Sequence, residues 1–239
     1  MPVVDPLWLD FLEFIALRND RWTYFRGLSS VDHQNVPGVA RADKAPAGGW
    51  RPDLEQRLFQ DFKALAQNYE PGSNFTDLDW LAVAQHFGLP TRLLDWTENP
   101  LVAAWFAVQD ETVFRPAPPS RRRTPLPAVV HIITVNPGAI ATNPDPFVGP
   151  LEPVLVRVPP RAGRITAQHG LFSLHRDLRT VWNLDADPRI LHRSFKIPHA
   201  SKPAFRGALD QLGFNRQRLM IDLDGLCATL AWRYRSNRI

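Results

Sequence analysis

Helical and extended hydrophobic patterns are segregated along this chain, and that segregation constrains the fold more than any other feature. Helical spacing governs residues 6–18, a stretch opening near Pro52 and another after Thr76, then returns near 202–212 and 222–235. Strand-like runs fall mostly in the second half, at about 128–135, 153–158, 164–175 and 190–197, separated by proline-rich turns. A doubly wound parallel sheet requires regular alternation of strands and helices, which is absent here. The pattern implies an α+β domain: N-terminal helices, a mixed or antiparallel sheet of about six strands, and C-terminal helices.

Local signals sharpen the boundaries. Asp5-Pro6 supplies a cap and a first-turn proline for a helix bearing Trp8, Phe11, Leu12 and Ile15 on one face. The helix near Pro52 buries Leu54, Leu58, Phe62 and Leu65. Thr76 with Asp79 three residues later has the form of a capping box. Gly88 suits a left-handed helix end, with Pro90 just beyond. Arg21–Arg26 reads as an aromatic strand closed by Gly27, residues 28–50 as loop, and Thr91–Trp96 as a strand. Asn99-Pro100 then opens a helix through Ala103–Ala107. The proline-rich stretch 111–127, with Arg121–Arg123, reads as an exposed loop. The expected organisation is an N-terminal helix over 1–20 and one domain over 21–239.

Composition narrows the function classes. A hydrophobic content of 44% and a charged content of 22% are those of a globular chain. No apolar run reaches the roughly 18–20 residues a spanning helix needs, so no membrane partner is expected. The first residues lack the positive start and apolar core of a signal peptide, and the single cysteine cannot form an internal disulfide. A cytoplasmic protein is the expectation. Cys227, beside Leu226 and Leu230, reads as a packed core thiol. Of 28 basic residues only Lys44, Lys63, Lys196 and Lys202 are lysines, which leaves 28 − 4 = 24 arginines. Arginine forks phosphates and carboxylates well, yet a GC-rich genome gives the same bias. His169, His175, His192 and His199 are too scattered to define a metal site, and none is expected.

Two constellations stand out. The first runs from Gln85 to Pro100 and interrupts a helix–strand–helix unit with His86, Thr91, Arg92, Asp95 and Glu98. Strand alternation puts Thr91, Leu93 and Asp95 on one face and Arg92, Leu94 and Trp96 on the other. Charges flanked by leucines and tryptophan imply burial and pairing, so Asp95 is expected to be buried against Arg92, another arginine or the next helix turn. Structural roles compete with a site here: Asp95 or Thr97 as a helix cap, His86 at a helix C-terminus. The second constellation is Tyr24-Phe25-Arg26-Gly27. An arginine before a glycine can fork a phosphate while a ligand nears the backbone, or it can pair with a core carboxylate such as Asp95 or Glu55. Arg26, Thr91 and Asp95 are expected to approach one another across neighbouring strands.

Trp22-Thr23-Tyr24-Phe25-Arg26-Gly27, the run Gln85–Thr97, Asn99-Pro100 and Ala104-Trp105-Phe106-Ala107 resemble the FRG domain family of bacteria and phages, named for its Phe-Arg-Gly motif. Pro37–Arg41, Arg164–Phe172 and Asp222–Leu226 extend the resemblance over roughly residues 20–230. The order of elements also resembles an ADP-ribosyltransferase fold. That second resemblance implies a toxin or defence effector using NAD, by ADP-ribosyl transfer or NAD glycohydrolysis. Arg26 would hold the pyrophosphate and Gln168 support the ribose hydroxyl. His86, Arg92 and Asp95 would shape the pocket, and Tyr24, Gly27, Thr91 and Phe106 would complete the cofactor side. A glutamine at position 168 cannot deprotonate an acceptor, which favours hydrolysis over transfer. The implied partners are a nucleic-acid or protein acceptor and a cognate antitoxin. The alternative is a non-catalytic domain that binds nucleic acid or a nucleotide.

Overall fold

The computed structural model describes residues 5–17, 21–69, 74–110, 113–114, 124–158, 170–220 and 222–238. Helix α1 (Pro6–Ala16) starts where Asp5 Oδ1 accepts the Leu7 amide at 2.9 Å, and it buries Trp8 and Phe11. Helix α2 spans Pro52–Ala66 and α3 spans Asp77–His86. The α3 capping box is complete: the Asp79 amide donates to Thr76 Oγ1, and the Thr76 amide to Asp79 Oδ2. Gly88, at φ +90°, turns the chain out of α3 in a conformation that L side chains rarely adopt. Asn99 Oδ1 caps α4 (Pro100–Val108) through the Leu101 amide at 2.9 Å. Three helices follow the sheet: α5 (Lys202–Gln211), α6 (Arg216–Met220) and α7 (Leu223–Arg235).

Among the described residues seven strands form one sheet: β1 (Thr23–Leu28), β2 (Leu93–Thr97), β3 (Ala128–Val135), β4 (Ile140–Ala141), β5 (Val154–Arg157), β6 (Gly170–Leu174) and β7 (Ile190–Ile197). Their order is β4-β5-β6-β2-β1-β3-β7, antiparallel throughout except for the parallel β4–β5 pair. Strands β1 and β3 pair along their length, as do β3 with β7 and β2 with β6. The two central strands meet at a single pair, Phe25 with Thr97.

One sheet face is covered by helices in two groups. Phe25, Val130, Ile132 and Ile197 pack against α1, α4 and α5 through Phe11, Trp105 and Phe205. Leu93, Val156, Phe172 and Leu174 pack against α2 and α3 through Phe59, Leu78, Trp80 and Leu81. The other face carries Tyr24, Trp96, Ile133, Leu155 and Leu171, covered by Trp182 and Leu184. Helix α4 approaches β1 so closely that a Cβ on Gly27 would lie 1.8 Å from the Ala103 carbonyl oxygen.

The α+β arrangement matches expectation, with one more strand. Two-residue β4 is too short to produce a readable alternation, and five-residue α6 too short for a helical period. Of the extended run 164–175, β6 is the described part. Arg121–Arg123 lie outside the described residues, but the ends of their loop are joined: the Leu126 amide donates to the Val113 carbonyl, and Phe114 bridges Pro125. Cys227 is exposed, not packed. The inward face of α7 is instead Gly225, Thr229 and Trp232. Among the described residues no helix is long and apolar enough to cross a membrane.

Candidate functional site

The sheet order makes β1 and β2 adjacent, which brings the two constellations together. Arg26 Nη1 donates to the Asp95 carbonyl oxygen at 2.8 Å, across the junction of the two strands. Arg26 thus meets Asp95 as anticipated, but through the main chain. The Asp95 side chain is exposed, contrary to the expectation of a buried, paired carboxylate. It falls in the gap between α3 and α4, where helices do not cover the sheet. Arg92 lies just before β2, not on its opposite face as alternation implied, and it pairs with Glu55 of α2.

That gap is a cavity of about 500 Å³, lined by Arg26, Gly27, Asp95 and Thr97 from the strands, Gln85 and His86 from α3, and Val102, Ala103 and Phe106 from α4. His33 and Arg41 close it from the loop after β1, and Gln109 and Asp110 from the end of α4. Lys202, fully buried at the start of α5, supports this rim by donating to the Ser29 carbonyl at 2.8 Å. Its burial lowers the ammonium pKa.

Among the residues singled out in the sequence, Arg26, Gly27, His86, Asp95 and Phe106 share this cavity. Tyr24, Thr91 and Arg92 do not line it. Thr91 is buried and hydrogen-bonds Gln85 through its hydroxyl, so it acts on the cavity through that amide. Arg92 forms a buried two-pronged pair with Glu55, Nε to Oε1 at 2.7 Å and Nη2 to Oε2 at 2.6 Å. Its Nη1 reaches the Pro146 carbonyl at 2.9 Å, and the guanidinium lies 4.3 Å from the Phe147 ring centroid. Tyr24 is fully buried, and its hydroxyl accepts from Arg157 Nη2 at 2.5 Å. Burial raises the Tyr24 pKa. Gln168 lies outside the described residues. Sequence reading left His33, Arg41, Gln109 and Asp110 out of the site. Arg41 belonged to a segment matched by resemblance, but a loop has no periodicity to show which way a side chain faces.

Arg26 dominates the electrostatics. Burial lowers its pKa to about 10; Asp95 opposes that shift and the nearby Arg41 reinforces it. Its buried Nε has no hydrogen-bond partner among the described residues. An unpaired polar group in such surroundings is costly, and the guanidinium as a whole places a buried positive charge beside the cavity, which suits an anion there.

Two histidines feel the same charge. His175 is buried, and its Nε2 lies 2.9 Å from Ser173 Oγ, which accepts from Trp96 Nε1 at 3.1 Å. Burial, then Arg26, lowers the His175 pKa to about 3. His131 sits opposite Arg26 in the β1–β3 register and bonds His192 at 3.0 Å, which in turn bonds Asp185 at 2.7 Å. Burial, then His192 and Arg26, lowers the His131 pKa to about 4, against the pull of Asp185. Both folded values lie below the ordinary 6.5, so the stability these neutral imidazoles contribute is complete above pH 6.5. It is lost as pH falls from 6.5 towards 4 and 3. At pH 5 the expected loss is on the order of 2 kcal/mol per histidine. Thermal melts from pH 7 to pH 5 should show a falling Tm, with a shallower slope in His131→Asn. A flat profile would contradict the neutral state of the buried His175 and the half-buried His131. Among the described residues no group of three or more His, Cys, Asp or Glu could hold a metal ion.

Residues 21–115 match the family model of the FRG domain. The chain carries an FRG domain. No curated protein and no solved structure matches it. The FRG segment contributes β1, α2, α3, β2 and α4, and nearly all of the cavity lining; Phe172 and Met220 come from beyond it. Each residue of the FRG motif has a separate physical role. Phe25 packs into the helix-side core, Arg26 ties β1 to the Asp95 carbonyl, and Gly27 admits α4.

Proposed function

We propose that the cavity between β1, β2, α3 and α4 binds a nucleotide-type anion, and that the FRG domain uses NAD there. The observation that carries this reading is Arg26, nine-tenths buried at the cavity, with an unpartnered Nε and a second arginine close by. Two guanidinium groups on one side of a cavity suit a pyrophosphate, and Phe106 offers an aromatic surface for a ring. Asp95 would face the ribose, where a carboxylate stabilises the positive character that develops as the nicotinamide bond breaks. Gln168 keeps the role of a hydrogen-bond partner to the ribose hydroxyl. In this reading the domain is a bacterial or phage toxin or defence effector, restrained by a cognate antitoxin and acting on water or on a nucleic-acid or protein acceptor.

The test is nicotinamide release from NAD by the purified chain, with and without protein, DNA and RNA. Arg41→Ala should weaken NAD binding several-fold with the fold intact, because it removes one charge-assisted contact at the rim. Asp95→Asn should lower turnover more than binding, since its charge matters most in the transition state. If the wild type releases no nicotinamide and neither NAD nor ADP-ribose raises its Tm, the NAD reading falls.

A further inference from the structure

Helix α7 inverts the usual amphipathic arrangement. Its inward face is Gly225, Thr229 and Trp232, while its larger aliphatic and phenolic side chains face solvent. Leu223 is 71% exposed, Leu230 47% and Tyr234 75%, and Cys227 is exposed between them. The positions 223, 227, 230 and 234 follow a four–three–four spacing, which draws a continuous apolar seam along one side of a helix. Small inward residues let α7 lie close to its support: a Cβ on Gly225 would meet the Arg216 carbonyl oxygen at 2.9 Å. The orientation is therefore fixed by packing, and the outward seam is its consequence. Unpartnered seams of this kind mark contact surfaces.

Charge indicates which partner fits. Exposed Asp224 flanks the seam near its start, and exposed Arg235 flanks it near its end. Arg233, in the same last turn, is held by Asp210 at 2.9 Å and is not free to serve. We propose that the α7 face is the contact surface of a homodimer, in which α7 of a second copy lies antiparallel on the first. In that arrangement Leu223 meets Tyr234, Cys227 meets Leu230, and Asp224 meets Arg235, each twice by symmetry. The surface is complementary to itself under a two-fold axis, as a closed dimer requires. A parallel pairing would set the side bearing Asp224 and Arg235 against the other flank of the partner helix, where neither meets its opposite charge, so charge favours the antiparallel arrangement. A seam of four side chains per helix is smaller than a standard stable interface, so the association is weak and concentration-dependent.

The experiment is sedimentation velocity on the full chain over a wide concentration series. The wild type should move from monomer to dimer. Leu230→Glu should keep it monomeric, and Asp224→Arg or Arg235→Asp alone should weaken association at least about tenfold by placing like charges together. The double variant Asp224→Arg/Arg235→Asp should restore it, because the pairs are re-formed with their signs exchanged. These residues are exposed, so the variants should melt like the wild type. A flexible bis-maleimide should link two chains through Cys227, the single thiol of the sequence, and should fail to do so in Leu230→Glu. A chain that stays monomeric throughout, or a dimer indifferent to Leu230→Glu and to charge reversal, would overturn the proposal.

Discussion

Gly27→Ala is expected to be the most damaging single-atom addition in this protein, costing on the order of 4 kcal/mol or more, or preventing soluble expression. The added Cβ would lie 1.8 Å from the Ala103 carbonyl oxygen and 2.7 Å from the Ala107 amide nitrogen. Both are backbone atoms of α4, so no side-chain rotation relieves the clash. The helix would have to lift from β1, and it carries Val102, Ala103, Trp105 and Phe106 with it. The first three belong to the core, and Val102, Ala103 and Phe106 wall the cavity. Gly38→Ala is the control, because its nearest neighbour, Pro90 Cα, is at an ordinary 3.5 Å. A thermal melt of Gly27→Ala that matched the wild type would refute the close packing of α4 on the FRG motif.

The second large effect is expected at Glu55. Glu55→Ala leaves the Arg92 guanidinium buried without its carboxylate, at a cost of roughly 3–5 kcal/mol. The pair is 5% exposed on each side, and Glu55 also accepts from Trp50 Nε1 at 2.7 Å. Through these bonds α2, the entry to β2 and the Pro146 segment are held together. Replacing both partners, as in Glu55→Leu/Arg92→Met, should cost less than either truncation alone, because no charge is then left buried. Asp95→Ala should cost little, since that carboxylate is open to the cavity. Urea unfolding of these three variants, together with Arg92→Ala as the second truncation, tests the ranking. An Asp95→Ala penalty larger than that of Glu55→Ala would reverse the assignment of structural and cavity carboxylates.

Much of the fold was legible because it is written locally. Asp5-Pro6, the Thr76–Asp79 box and Asn99-Pro100 are caps whose bonds form within three residues, and each starts a helix where the sequence places it. Strands β3 and β7 follow the expected spans because their alternation is long. The partners of charged groups were harder. Alternation was expected to put Arg92 and Asp95 on opposite faces, but Arg92 lies just before β2 and turns to Glu55 of α2, 37 residues earlier, on the helix side of the sheet. Nor does alternation show where two packed helices leave the sheet bare, which is why Asp95 was expected to be buried. Cys227 was misplaced for a similar reason. A short helix with leucines on one side and glycine, threonine and tryptophan on another has no unambiguous inward face until its support is known.

The sheet order has a consequence for how the site comes into being. The described part of the recognised segment, 21–115, contributes two strands, β1 and β2, and they touch at one residue pair. The far edge of β1 is filled by β3 and that of β2 by β6, both from residues beyond 115. Expressed alone, the segment would present two open strand edges and half of each core, the condition under which chains aggregate. During synthesis, Arg26 and Asp95 leave the ribosome early, yet their strands are not flanked on both sides until β3 and then β6, ending at Leu174, arrive. The pocket is encoded near the start of the chain and assembled by its end. A nascent chain therefore cannot acquire the cavity's chemistry before most of its length has been made.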